Sequence, residues 1–507
     1  MSAAAAPAPG QFVDRLLQQL TPQLGGADGA SAQQLSTVLQ SLVKLSCRGV
    51  NQAWLATVLT GAAEKVQEAV AAGDVAVLVS LLSALGQLSV KAGVSAPQEL
   101  LNQALYQVKS ILEQLDAGQI AVAISALKQL QLDSDDSLMN GYLDRAAAAA
   151  AAGTASARDM ATVLGSVAAA GVVPPVEWYR SYLAAVQQQL GGADSVSLVS
   201  ICHAAAALAV AGRQHSSSSY EPDATFLQEL VAVANSCIGS SYMDAARILS
   251  SPDYKAPLTL SGLADCVWGL LKLGADPPAV QPLVSMLISK SYDRLSQLSG
   301  QQLAGVTWAI ACSNSRSSGS GRKGGSSSST RRGGSSSGGI KLPGKWLNQL
   351  AVAAAPEAGT LNPVQLSDFV WGLGKLYLSA DGYNSPSEGD TSSTPVAAAG
   401  SSSAEPVQQL LRAVAAQVDA QSQVAASAGD VSTLVDLLAQ FDCPASSSLL
   451  QRYCADVAAN WQQLPDAAVA DAAAAMAVLA RAQGSGAGSS AVGQEWLESL
   501  AEQVLQR

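Results

Sequence analysis

Two columns of residues recur along this chain with types and spacing that could do chemistry. In the first, a large apolar or aromatic anchor stands at Phe12, Trp54, Leu100, Leu138, Trp178, Phe226, Trp346, Leu449 and Trp496, and a mostly polar pair follows two and three places on. The pairs change from anchor to anchor: Asn102 with Gln103, Arg180 with Ser181, Asn348 with Gln349, Gln451 with Arg452. The next two positions are mostly apolar again, which predicts that each pair lies on the outer face of a helix. Varied hydrogen-bonding side chains on a rigid periodic frame suit the edges of successive bases in a single strand, one base per repeat. The plainer account is the solvated side of an amphipathic helix. In the second column Lys44, Lys272 and Lys375, with Gln87, Gln129 and Gln440 at the matching places, each precede the last large apolar residue of a helical run. Lysines so placed could meet successive phosphates, or could favour a helix C-terminus by about 0.3–1 kcal/mol each.

Other arrangements that would carry catalysis are missing from the pattern. His203 and His215 are the only histidines, one beside Cys202 in an alanine-rich run and one in a serine stretch, and neither belongs to a metal-ligand or nucleophile spacing. Gly319 to Gly324 fits G-x-G-x-x-G, but no strand precedes it and no helix follows within a βαβ unit, so it is rejected as a nucleotide site. Asp135 and Asp136 read as solvated charge in a turn. The expectation is a protein with no catalytic site, no metal and no cofactor. Seven cysteines, an odd number without a C-x-x-C pair, read as buried free thiols in a reducing compartment.

The elements that must position the two columns are helical. From Leu263 to Gly274 apolar residues at 263, 267, 270, 271 and 273 follow a helical period, and Gly274 with Pro277-Pro278 marks a stop and a restart. A second helical pattern then leads to Trp308, 40 residues after Trp268. Runs ending at Leu45, Leu88 and Leu130 are 43 and 42 residues apart. One unit is a helical hairpin of about forty residues that cannot bury both apolar faces alone, so the units must stack. The expected fold is all-α, an α-solenoid of stacked hairpins. A composition with 49% apolar, 5% aromatic and 13% charged residues, rich in alanine, agrees with close helix packing. The expected organisation is helical repeats over 1–313, a disordered basic Ser/Gly linker over 314–339, a repeat over 340–379, a disordered insert over 380–404 and repeats over 405–507 ending mid-unit. A net charge of −11 weighs against a nucleic-acid partner without describing how charge is distributed. No run approaches the roughly eighteen consecutive apolar residues of a membrane span, so no membrane partner is expected. Met1 to Gly10 has no basic residue and does not read as a transit peptide.

Pro174-Pro175-Val176-Glu177-Trp178, the stretch Leu263 to Gly274, and Pro363 to Leu366 with Trp371-Gly372-Leu373-Gly374-Lys375-Leu376 together resemble the octotricopeptide repeat family of green-algal organelle proteins. That repeat opens on a proline run and a tryptophan and closes on a Trp-x-Leu-x-Lys-Leu-Gly helix, and it is related to the FAST-kinase-like repeats. The resemblance spans most of Phe12 to Arg507. It implies a chloroplast or mitochondrial protein that binds single-stranded RNA, alone or with other proteins in a ribonucleoprotein complex, and acts in transcript stability, processing or translation. The alternative is a protein-interaction scaffold of the armadillo or HEAT sort. A positive stripe along the repeats favours the first, and a uniformly acidic or apolar groove favours the second.

Overall fold

The structure, a computed structural model, describes residues 31–44, 74–92, 111–130, 136–215, 220–239, 257–317, 342–378, 405–421, 428–441 and 443–460, with single positions at 69 and 72. Among these residues there are sixteen α-helices and no strand. They are α1 (Ala32–Lys44), α2 (Val75–Ala92), α3 (Ala117–Gln129), α4 (Asp136–Ala151), α5 (Ala157–Ala170), α6 (Val176–Gln189), α7 (Ser195–His215) and α8 (Ala224–Gly239). Then come α9 (Leu260–Lys272), α10 (Pro277–Ser291), α11 (Gly300–Ser317), α12 (Gly344–Ala354), α13 (Pro363–Tyr377), α14 (Glu405–Ala420), α15 (Ala428–Gln440) and α16 (Ser447–Asn460). The second helices of the hairpins are α1, α2, α3, α5, α7, α9, α11, α13 and α15; the others are first helices. The protein is thus a tandem array of helical hairpins.

A shared N-terminal device starts eight of the second helices and carries the period. A polar cap accepts from the backbone N–H three residues on: Ser31 from Gln34, Asp74 from Val77, Asp116 from Gln119, Ser156 from Asp159, Asp194 from Ser197, Thr259 from Gly262, Ser299 from Gln302 and Asn362 from Gln365, at 2.7–3.4 Å. At Ser31, Asp116, Ser156, Ser299 and Asn362 the side chain three places on reaches back to the cap's own N–H, closing capping boxes. The residue before the cap is apolar and buried at Leu115, Ala155, Ala193, Leu258, Leu298 and Leu361, and so is the residue four places after it at Ile120, Met160, Leu198, Leu263, Leu303 and Leu366. That is the spacing of a hydrophobic staple, which fixes the angle at which the chain enters a helix. The hairpin turn is therefore rigid by construction.

First helices start differently. Pro175 is the N-cap of α6, Pro343 that of α12, and α10 has Pro277 in its first turn. The Pro174-Pro175 restart thus lies just outside the helix rather than within its first turn. The stops before α6 and α10 are Gly171 and Gly274, at φ of 71° and 96°, where a side chain would be strained. Helix α7 runs through Gly212 to His215, and the glycine there leaves room for the Tyr220 ring, which a Cβ would meet.

The chain divides into two compact units. One comprises Met1–Ser236, Ser251–Ala256 and Lys272–Gly274; the other comprises Cys237–Ser250, Pro257–Leu271 and Ala275–Arg507. The division falls within 1–313 rather than at the Ser/Gly tract. In the first unit α1, α2, α3, α5 and α7 pack in that order, with α4 against α6. In the second, α11, α13 and α15 pack in order, α12 against α14 and α14 against α16, while Gln302 of α11 reaches Asp265 of α9. Fully buried leucines such as Leu39, Leu81, Leu164, Leu270, Leu373 and Leu434 line these contacts, each worth about 1.5–3 kcal/mol relative to exposure. The helix α11 continues to Ser317, with Ser313 buried and its hydroxyl bonded to Ala309 O, so the first four residues assigned to the basic linker are helical. The rest of that tract and the 380–404 insert lie outside the described residues. The helix α7 is long and apolar enough to cross a membrane by length and composition, but Ile201, Cys202, Ala205 and Leu208 are buried in packing.

Candidate functional site

Two first helices, α6 and α12, are held to the preceding first helix through their tryptophan anchors. Trp178 donates its indole N–H to Leu143 O at 2.7 Å, and Trp346, fully buried, donates to Ser291 Oγ at 3.0 Å. Tyr179 ties α6 to the second helix of its own hairpin by donating to Ala205 O at 3.1 Å, and Tyr377 of α13 does the same to Leu347 O of α12 at 3.0 Å. Burial raises the phenol pKa values of Tyr142, Tyr179 and Tyr182 well above their ordinary value, so these groups stay neutral. The anchors are structural, and they determine where the residues two and three places on must point.

For those pairs the expected uniform outer face is corrected. Asn102 and Gln103 lie outside the described residues. Arg180 and Ser181 are exposed, with the Ser181 hydroxyl turned back to Trp178 O at 3.0 Å. Arg180 lines a cleft of about 450 Å3 together with Gln187, Glu221, Asp223 and Phe226, where two carboxylates disfavour an incoming phosphate. Asn348 and Gln349 face sideways: Gln349 Nε2 donates to Asp293 Oδ1 at 3.0 Å, and the amide oxygens of both residues are buried without a hydrogen-bond partner. Trp346 holds α12 against the end of α10, where Asp293 meets Gln349. Gln451 is exposed and Arg452 half-buried. The first-helix column is therefore not one continuous surface.

The lysine column sits on the second helices. Lys44 and Lys375 are exposed and Lys272 is half-exposed. Beside Lys375 the structure places the Trp371 indole, with Nζ 5.9 Å from the ring centroid, close enough for a cation–π attraction. Trp268, Trp308 and Trp371 stand at the same place on α9, α11 and α13, and all three are half-exposed although the leucines around them are buried. The Trp308 and Trp371 rings are 6.4 Å apart. The second helices approach so closely because small residues meet there. A Cβ on Gly305 would lie 3.1 Å from the Trp268 ring, and one on Gly372 would lie 2.9 Å from Trp308 N.

The same position in the first unit is held by Gln40, Ser83, Ser125, Gly165 and His203. Hydroxyls link neighbouring helices there, Ser36 with Ser80 at 2.7 Å and Ser125 with Ser166 at 2.9 Å. One turn before Trp268 and Trp371 are Asp265 and Asp368, both half-exposed, and one turn after them are Lys272 and Lys375. The second-helix face is thus neither a continuous positive stripe nor a uniformly acidic or apolar groove. The signal that could have revealed it was already present: within Trp-x-Leu-x-Lys-Leu the leucines are explained by a core, while the tryptophan and lysine fall on the opposite side of the helix. Among the described residues no group of three or more His, Cys, Asp or Glu could hold a metal ion.

No protein-family profile and no curated protein matches the chain. Among solved structures it is similar to a "circular tandem repeat protein with novel repeat topology and enhanced subunit contact surfaces", at 12% identity over 98% of this chain and 97% of that one, with a TM-score of 0.19.

Proposed function

We propose that this helical-repeat protein binds single-stranded RNA in a chloroplast or mitochondrion and acts there in the stability, processing or translation of a transcript. The observation that carries the reading is the accessibility of Trp268, Trp308 and Trp371, one per hairpin, with Lys272 and Lys375 a turn away. Core packing requires the buried Leu270, Leu273, Leu373 and Leu376 of these helices, but it does not require half-exposed indoles at the same place on three of them. Indoles stack on any base, and lysines meet phosphates, which is the pair of contacts that unpaired strands use. Replacing Lys44, Lys272 and Lys375 by alanine is expected to weaken all RNAs alike and to flatten the salt dependence by about 0.7 in log–log slope per lost phosphate contact. Changes at Arg180-Ser181 or Gln451-Arg452 that weaken a preferred RNA more than a scrambled one would add the first helices to the interface. Sequencing the RNA that crosslinks to the protein identifies the transcript. A second reading, a protein-interaction scaffold, is favoured by Asp265, Asp368 and Asp436 on the same face and by the net charge of −11. It replaces the first if the unmutated protein shows no salt-dependent RNA binding.

A further inference from the structure

We infer that the cleft between α6 and α8 is a docking site for an arginine-bearing segment of a partner protein, with the guanidinium held by Glu221 and Asp223 and its apolar neighbours laid over Leu183 and Phe226. The inference concerns the first-helix side of the first unit and stands independently of the RNA reading above. All the residues that line the cleft belong to that unit.

Elsewhere consecutive first helices pack directly, α4 against α6 and α12 against α14. Trp178 and Trp346 each bond to the preceding first helix through the indole N–H. At the step from α6 to α8 the anchor is Phe226, which has no polar side-chain atom to make such a bond, and a cleft of about 450 Å3 lies between the two helices. That volume is in the range of about 300–1,000 Å3 usual for ligand pockets. The α6 wall is a stripe at helical spacing, Arg180, Leu183, Ala184 and Gln187. The opposite wall is the turn from Glu221 to Asp223 that leads into α8, with Phe226 a turn further on. Tyr220 fixes that turn by donating its hydroxyl to Pro174 O, just ahead of α6.

The floor is apolar and the rim is mostly negative. Leu183 and Phe226 are buried, while Glu221 and Asp223 are exposed, as is Arg180. Asp223 Oδ1 accepts from the Thr225 N–H at 3.3 Å. Since a carboxylate has about four lone-pair sites, this bond leaves acceptor capacity for a ligand. Burial and then the nearby Glu177 carboxylate hold the Tyr220 phenol above its usual pKa, so a third negative charge stands by the same turn. Three carboxylates against one guanidinium favour a cation and repel a phosphate. Among side-chain cations arginine fits best. Its planar guanidinium presents parallel donors to a carboxylate, and it is more weakly hydrated than an ammonium, so it enters a partly apolar cleft at lower cost. The apolar floor adds a requirement that charge alone does not, since the residues beside the arginine must themselves be apolar.

The test uses the full-length protein and three peptides, each titrated at low salt by ligand-observed NMR. They are acetyl-Leu-Arg-Leu-amide, its citrulline counterpart, which keeps the shape and loses the charge, and acetyl-Ser-Arg-Ser-amide, which keeps the charge and loses the apolar flanks. The citrulline peptide is expected to bind more weakly than the first by about tenfold or more, the loss that follows from removing a charge-assisted contact, and the serine peptide is also expected to be weaker. In the double variant Glu221→Gln, Asp223→Asn, where asparagine can still cap the helix, the ratio of arginine to citrulline affinity is expected to fall to within about twofold. Glu221→Gln alone, at an exposed position outside the helix, is measured beside it, and an unchanged thermal melt shows that the fold is intact. Ala184→Trp, which fills the cleft from the α6 wall, is expected to abolish binding of the first peptide. The inference is overturned if acetyl-Leu-Arg-Leu-amide does not bind at millimolar concentration, if it binds no better than either of the other peptides, or if the variants bind it as the unmutated protein does.

Discussion

The two units build the same hairpin and furnish its second-helix face in opposite ways. In the first, the position that could contact a ligand is held by small or polar residues, Gln40, Ser83, Ser125, Gly165 and His203, and neighbouring helices are joined by hydroxyl pairs such as Ser125 with Ser166. In the second, the same position holds Trp268, Trp308 and Trp371, with Asp436 on α15, and glycines on the adjoining helices make room for the indoles. An array whose caps, turns and buried leucines repeat can vary this position as long as the adjoining helix changes with it, as Gly305 does opposite Trp268. The backbone supplies the period and the exposed column supplies the difference.

The largest effects should come from the glycines. Gly372 lies against the backbone of Thr307 and Trp308, where an added Cβ would be 2.9–3.0 Å from atoms that cannot swing away, whereas a Cβ on Gly165 meets nothing within 4 Å. Gly372→Ala is expected to destabilise by about 1–3 kcal/mol and Gly165→Ala to stabilise by about 0.5–1 kcal/mol through helix propensity, as read by urea unfolding midpoints. Equal effects would mean that Gly372 is not held against the α11 backbone.

Next come the anchors, where the units should agree. Trp178→Phe and Trp346→Phe each remove an indole N–H bond to the preceding first helix, and each is expected to cost about 1.5 kcal/mol. A cost confined to one of them would break the claim of a shared architecture. Smaller still is the hydroxyl link of the first unit: a double-mutant cycle on Ser125→Ala and Ser166→Ala should return a coupling of about 0.5–1 kcal/mol, and no coupling would make that pair incidental.

The smallest effect is a cap. Asp194 accepts from the Ser197 backbone N–H at 2.7 Å, and that bond, followed by one from the Ser197 hydroxyl, holds its carboxyl below the usual value. Because the folded pKa is the depressed one, the stabilisation is fully present above the unfolded value of about 3.9 and fades as pH falls through the lower folded value. Asp194→Ala is therefore expected to cost about 0.5 kcal/mol near neutral pH, and the difference from the unmutated protein should close in acid thermal melts. A difference that persists in acid would mean that the lost stability is not electrostatic.

Much of this was legible without coordinates. Helical periodicity, the Gly-Pro-Pro punctuation and the forty-residue spacing determined an all-α repeat fold, because hydrophobic spacing and chain stiffness act locally and leave a record in consecutive residues. The cap series from Ser31 to Asn362 was also available as a periodic signal, and would have marked the second helices more sharply than their C-terminal leucines did. What only the tertiary structure decided was direction. Asn348 and Gln349 occupy the same repeat positions as Arg180 and Ser181, yet the former are drawn into the α10 junction and the latter are exposed. Trp308, within a mostly buried helix, is half-exposed. A helix has one buried face, but which of its remaining sides meets a neighbouring hairpin depends on how closely the helices approach, and that distance is determined by glycines and anchors dozens of residues away in the chain.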